Sequence, residues 1–402
     1  MNVLIFSNSP ERNFGYSVVS DKVSEYLSKF HNVVFFGMQS IVPPHKRNNI
    51  IDVGLRFDLF GADVLLDYIR MYDIDVTITI LDLWLQQTQY LRNVSNFCRW
   101  IAHVTINSYP PPSSLIDNIS FANAIVAPSK FIEESLSMFN NVYYIPHGVD
   151  TDIFKPNRKI REKARKALMV DDKEFVALSV MRNKGHMKNF PCLFKAWKRF
   201  LEMNEKAKKD AVLLVLSDPF EPEGIRLDIL RSVLGLEDYV KFIWLKPTED
   251  YSGITYTYEG DSKGIYHCPN LNFDRKTMSE IYNAADVHII SSSGESFNLP
   301  SLEAMACGVP IIMGNNTTGK ELVEDNYVTG LLADIAYDET TPLLVDIKLV
   351  DYNSLAKCIE RMYVDIEFRK ACGRNGVKKA KLYDWKIILK KWLALVEAII
   401  YA

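Results

Sequence analysis

Short apolar runs alternate with segments of helical periodicity along the whole chain. In the first half the runs are Val3–Ser7, Val33–Gly37, Val76–Leu81, Arg99–Val104, Ala124–Ala127 and Tyr143–Pro146. In the second half they are Phe175–Met181, Ala211–Ser217, Val240–Leu245, Val287–Ser291 and Val309–Met313. Most are continuously apolar rather than alternating, which suits strands covered on both faces. Strands that alternate with helices predict βαβ units, parallel sheets and an α/β fold. Near the middle, P-H-G-V-D-T-D-I-F-K-P (Pro146–Pro156) is turn-rich and precedes a charged helix over Asn157–Leu168, so it reads as a linker between two similar halves. The last segment, D-W-K-I-I-L-K-K-W-L-A-L-V-E-A-I-I, carries apolar residues at helical spacing on more than one face and predicts a long, largely buried helix. Tyr251–Arg275, with Gly253, Gly260, Gly264 and Pro269, reads as an irregular insertion.

Composition narrows the picture. The 402 residues exceed one typical core and fit two domains. A net charge of -3 gives no basic field for nucleic acid. The basic clusters at Lys206, Lys208 and Lys209 and at Lys378, Lys379 and Lys381 read as solvated helix faces. The six cysteines are widely spaced and form no C-x-x-C pair, which predicts reduced packing residues and a cytoplasmic setting. The chain opens directly as a strand, so no secretory signal is expected. No apolar run approaches the ~20 residues of a membrane span, which leaves only peripheral membrane contact open.

In open α/β sheets, ligands sit outside the carboxyl ends of the strands. Four such ends carry suggestive residues. In S-N-S-P-E-R-N-F-G-Y-S, Gly15 lets backbone approach a ligand, although an ordinary strand-to-helix turn has the same look. In S-V-M-R-N-K-G-H-M-K-N-F, Arg182 and Lys188 flank a turn that Gly185 permits; they can clamp a diphosphate or form a solvated basic loop. In S-S-S-G-E-S-F-N-L-P-S-L-E-A-M-A-C-G-V-P, Pro300 suits a first helical turn and Gly308 a helix end. The amides near Phe297, Asn298 and Leu299 would then face an anion. Glu303, about a turn inside that helix, could accept both hydroxyls of a ribose diol or simply complement the helix dipole. Glu295, ahead of the helix, is a cap or a ligand-facing group. The fourth end, M-G-N-N-T-T-G-K-E-L-V, holds ordinary turn residues. Asp73-Ile-Asp75 and Asp150-Thr-Asp152 have Asp-x-Asp spacing, but both lie at element edges where Asp is common. No histidine or cysteine spacing suits zinc, and no metal site is expected. His147 falls in the linker; His103, at a strand's carboxyl end, is the better candidate for a catalytic side chain.

Together these residues resemble the retaining GT-B glycosyltransferases of family 4. The specific part is E-S-F-N-L-P-S-L-E-A-M-A-C-G-V-P-I-I, which is similar to that family's E-x7-E signature. I-P-H-G-V-D-T-D-I-F-K-P, A-P-S-K-F, Y-N-A-A-D-V and Tyr383-Asp384-Trp385 also fit. The likeness is strong from about Tyr143 to Leu332 and mainly topological over the first 120 residues. It departs from the family at Phe14-Gly15, at Asn298 and at His147, where paired glycines, Gly and Asn are usual.

The resemblance implies a GT-B fold of two Rossmann-like doubly wound domains facing a central cleft. Residues 1–155 would bind the acceptor, 156–383 the sugar nucleotide, and 384–402 would form a helix packing back on the first domain. It implies that Arg182 and Lys188 bind the diphosphate and that Glu303 holds the ribose. Glu295 would meet the donor sugar, and Phe297, Asn298 and Leu299 would offer amides to the diphosphate. Phe242–Lys246, with Leu245 and Lys246, would border the nucleobase, Gly15 would lie near the phosphates, and His103 would serve the acceptor side. The implied reaction is metal-independent hexosyl transfer needing no cofactor. Its donor would be a nucleotide sugar, GDP-mannose ahead of a UDP-hexose, and its acceptor a hydroxyl on a glycan, lipid or protein-linked glycan. A catalytically silent sugar-nucleotide binder and a GT-B epimerase or phosphorylase are the competing expectations.

Overall fold

The computed structural model describes residues 1–9, 15–38, 43–58, 60–82, 89–111, 113–250, 253–259, 274–324, 328–341 and 344–401. The chain divides into two compact units, one of residues 1–148, 341–345 and 383–402, the other of 149–340 and 346–382.

The first unit is built on β1 (Asn2–Asn8), β2 (Asn32–Met38), β3 (His45–Arg47), β4 (Ile50–Val53), β5 (Val76–Asp82), β6 (Arg99–Thr105), β7 (Ala124–Ala127) and β8 (Val142–Tyr144). They form one sheet in the order β3-β4-β2-β1-β5-β6-β7-β8. Every pairing is parallel except β3 with β4. β1 sits between β2 and β5, with Val3 opposite both Val33 and Val76, so the winding reverses there. Val3, Leu4, Ile5 and Phe6 are all fully buried, and Phe6 stacks on Phe36 at 4.6 Å. Each such side chain contributes roughly 1.5–3 kcal/mol of burial. The polar edge strand β3 is held by charge instead, through Arg47 to Asp52 at 2.8 Å and to Asp21 at 2.9 Å.

The terminal helix, Trp385–Tyr401, belongs to this unit. It buries Trp385, Ile388, Trp392 and Val396 but leaves Ile387 46% exposed, so it is amphipathic rather than largely buried. Lys386, Lys390 and Lys391 keep its outer face in water. Gly148 lies against its first turn: a Cβ there would stand 2.5 Å from the Trp385 ring.

The second unit contains β9 (Phe175–Val180), β10 (Ala211–Leu216), β11 (Val240–Phe242), β12 (Trp244–Asp250), β13 (Gly253–Glu259), β14 (Val287–Ile289), β15 (Ile311–Gly314), β16 (Gly330–Ala333), β17 (Ile335–Thr340) and β18 (Asp346–Val350). Six of them form an all-parallel sheet in the order β11-β10-β9-β14-β15-β16. β9 lies between β10 and β14, so the topological switch point falls between the loops leaving β9 and β14. β12–β13 and β17–β18 are antiparallel hairpins. The expected irregular insertion is therefore a strand over 253–259; residues 260–273 lie outside the described part. Among the described residues, no helix is long and apolar enough to cross a membrane.

Candidate functional site

Local chain chemistry shapes the loop after β9. Gly185 (φ +48°) opens the short Gly185–Lys188 helix. Asn189 (φ +47°) closes it and caps the Phe190–Met203 helix by accepting from Cys192 N. Left-handed backbone of this kind is open to Gly and Asn and costly for most residues. Asn183, almost fully buried, bonds Asp218 O and Ile225 O and accepts from Ile225 N, which fastens the loop to the exit of β10.

The loop after β14 is stitched to the first one. Ser291 Oγ donates to Lys188 O and Asn189 O at 3.0 and 3.1 Å, and Ser293 Oγ donates to His186 O at 2.9 Å. Ser293 N donates to Met187 O. These bonds bring Lys188 Nζ within 2.5 Å of Glu295 Oε1, both side chains being largely buried. Glu295 N donates to Thr317 Oγ1 at 2.9 Å, and Asn316 Nδ2 donates to Ser292 O at 3.0 Å. The loop after β15, whose residues looked uninformative in sequence, thus braces Glu295. Thr317 holds φ +31°, an uncommon conformation for a β-branched residue and one that marks functional sites.

Downstream, Asn298 (φ +81°) starts the Leu299–Ala306 helix and caps it by accepting from Ser301 N at 2.8 Å. Gly308 (φ +78°) follows its end. Glu303 sits inside this helix with 4% exposure, paired with Arg275 Nη1 at 2.7 Å. Burial first, and then the Glu303 charge, raises the nearby Tyr282 hydroxyl well above the usual tyrosine pKa. Burial likewise pushes the Cys307 thiol up to about 12, which makes it a packing residue. The two glutamates of the signature each therefore hold a cation: Lys188 on Glu295, Arg275 on Glu303.

Arg182 follows β9 at the same sheet edge, but its guanidinium pairs with Glu221 Oε1 at 3.3 Å, on the β10 side. The Leu245 and Lys246 side chains lie outside the described residues. Gly15 begins the Gly15–Leu27 helix after β1, and residues 10–14 beside it are outside the described part. Next to it, Tyr16 Oη bonds the Asp82 carboxylate and Thr105 Oγ1, joining the carboxyl ends of β5 and β6.

His103 is not brought to a surface. It is fully buried, 3.1 Å from His147 between Nε2 atoms, and stacked on Trp392 at 6.0 Å. Burial pushes its pKa down to about 4 and, with the His103 charge, that of His147 well below the usual value. A place near a strand's carboxyl end carried the expectation of acceptor contact; two residues inside that end, Trp392 of the terminal helix stacks on the His103 ring. Asp75 and Asp150 accept backbone N–H groups of Asn2 and Asp152, so these members of the two Asp-x-Asp pairs do structural work. Arg275, Glu221, Asn316 and Thr317 were not singled out by sequence; the run N-N-T-T-G was the available signal for the last two.

A family described as glycosyl transferases group 1 matches residues 270–379, which include Glu295, Glu303 and Arg275. The chain is 24% identical over 244 residues to a D-inositol 3-phosphate glycosyltransferase of Corynebacterium jeikeium, covering 60% of this chain and 48% of that one. It is 31% identical over 106 residues to the O-antigen chain mannosyltransferase B of Escherichia coli, covering 26% and 23%. The chain spans about half the length of the first of the curated relatives it matches. Among solved structures it is similar to sucrose-phosphate synthase from Thermosynechococcus elongatus, with a TM-score of 0.75, 19% identity and coverage of 100% and 99%. The chain therefore has the GT-B fold, and its segment 270–379 matches the family described as glycosyl transferases group 1.

Proposed function

We propose that the protein is a retaining glycosyltransferase that moves a hexose from a nucleoside-diphosphate sugar to a hydroxyl acceptor without a metal. One observation carries the reading: Lys188 and Glu295 meet at the switch point of the second unit, and Glu303 lies eight residues on, inside the adjoining helix. A basic group, a donor-sugar carboxylate and a diol-binding carboxylate are what a nucleotide sugar requires there.

In this reading the donor diphosphate draws Lys188 from Glu295 and Arg182 from Glu221. Both cations, with the amides of Phe297, Asn298 and Leu299, stabilise charge on the departing phosphate. Glu295, released from Lys188, meets the sugar hydroxyls, and Glu303 holds the ribose. The bond from the anomeric carbon to the phosphate oxygen breaks as the acceptor oxygen attacks from the same face. The acceptor proton passes to the leaving phosphate oxygen, so no protein base is needed. The first unit would supply acceptor contacts, with the Tyr16–Asp82–Thr105 cluster at its strand ends. Mannose is the favoured sugar, supported by the likeness to a mannosyltransferase segment.

The test is a donor panel of GDP-mannose, UDP-glucose and UDP-N-acetylglucosamine, followed by hydrolysis or transfer. GDP-mannose turnover that falls ~10²–10³-fold in Lys188→Ala and in Arg182→Ala is the expected result. Unchanged turnover in both variants, or loss of turnover on chelation alone, would sink the mechanism; selective use of a UDP-sugar would reassign the donor.

A further inference from the structure

Glu303 is gripped by a group to which the transfer reaction as written gives no part. Arg275 stands at the start of the Arg275–Ala284 helix, and its Nη1 donates to Glu303 Oε1 at 2.7 Å. Its guanidinium lies over the Phe154 ring, 4.7 Å from the centroid. Phe154 in turn packs edge-on against Tyr282 at 6.0 Å, and both rings are buried. The arginine is thus fixed by an aromatic floor and by a carboxylate. Its other terminal nitrogen, Nη2, is buried and makes no hydrogen bond among the described residues. A buried guanidinium N–H without an acceptor is costly, so a ligand oxygen is the natural partner.

The chemistry of a vicinal diol matches this pair. A carboxylate alone can accept from the two hydroxyls, but it leaves their oxygens without donors. A guanidinium already docked on one carboxylate oxygen supplies that donor beside the remaining acceptor. Resting on the reading above, we propose that Arg275 and Glu303 act as one diol-recognition pair, Glu303 accepting from the nucleoside's ribose hydroxyls and Arg275 Nη2 donating to one of their oxygens. A strut that merely supports the helix would not distinguish a ribose from a sugar that lacks the diol.

Isothermal titration of the full chain with GDP and with UDP identifies the better ligand, which is then compared with its 2′,3′-dideoxy counterpart. The unmodified chain should prefer the ribo form by about tenfold or more. Arg275→Met should lose most of that preference while binding the dideoxy form within about twofold of the unmodified chain. Arg275→Lys, which keeps the charge and a donor, should recover part of it. Arg275→Met combined with Glu303→Gln should be no worse than the more severe single change, because the two act as a unit. Equal weakening of ribo and dideoxy ligands by Arg275→Met, or full retention of the preference, overturns the pair while leaving the parent reading intact. Binding of neither GDP nor UDP by the unmodified chain overturns the parent reading, and the pair falls with it.

Discussion

Replacing His288 with leucine isolates the cost of one buried imidazole. His288 lies in β14 at the middle of the second unit's sheet, fully buried, with the Tyr282 ring edge-on at 5.8 Å. Among the described residues neither ring nitrogen has a hydrogen-bond partner, and burial pushes its pKa from 6.5 down to about 3. A histidine with a depressed folded pKa contributes stability above its unfolded pKa and loses it as pH falls. At pH 5 the unfolded chain binds a proton that the folded chain refuses; the gap of about 1.5 pH units corresponds to about 2 kcal/mol. The whole shift, worth about 5 kcal/mol, is reached only near pH 3. Leucine has similar bulk and breaks no hydrogen bond, so at pH 7.5 the variant should lie within about 1.5 kcal/mol of the parent. Urea unfolding followed by tryptophan fluorescence at pH 7.5 and 5.0 measures the difference. The variant should gain about 2 kcal/mol on the parent between the two values. A constant difference would mean that His288 already carries a proton or exchanges one freely when folded, and the burial argument would fail.

Three further substitutions probe other joints. Gly148→Ala drives a methyl against Trp385 and should destabilise the first unit by roughly 1–3 kcal/mol in thermal unfolding, with recovery when Trp385→Leu is added. Arg165→Met should cost about 3–5 kcal/mol in urea unfolding; the nearly fully buried guanidinium bonds Asp286 and the carbonyls of Ala284, Asp171, Asp172 and Glu174, and a stability within error of the parent would refute that role. Asn298→Ala loses the helix cap and strains a left-handed residue, for about 2 kcal/mol together, whereas Asn298→Gly should cost only a few tenths; equal losses in calorimetry would show that φ +81° is not the constraint.

Much of the local structure of the candidate site is legible in the sequence as separate pieces. The runs of Val, Ile, Leu and Phe identify the parallel strands because strands covered on both faces need apolar residues at every position. The string from Glu295 to Gly308 carries its own helix, since Pro300, the Asn298 cap and Gly308 are local backbone chemistry. Short polar edge elements were not legible: His45-Lys46-Arg47 has no apolar run, and β17 keeps most of its residues exposed. Strand order decided the rest. Lys188 meets Glu295 across more than a hundred residues because β9 and β14 are neighbours, and Thr317 braces Glu295 because β15 lies next to β14. Arg275 reaches Glu303 only when its helix packs beside the Leu299–Ala306 helix, with the Phe154 ring under its guanidinium. His103 looked like a site residue from its strand end and became a core residue when the terminal helix laid Trp392 on it. Sequence by itself determined which residues could take up left-handed backbone, cap a helix or fill a sheet, since these depend on a residue and its near neighbours. Which charges pair, and which histidines lose water, depends on segments far apart in the chain, and only the tertiary structure decided that.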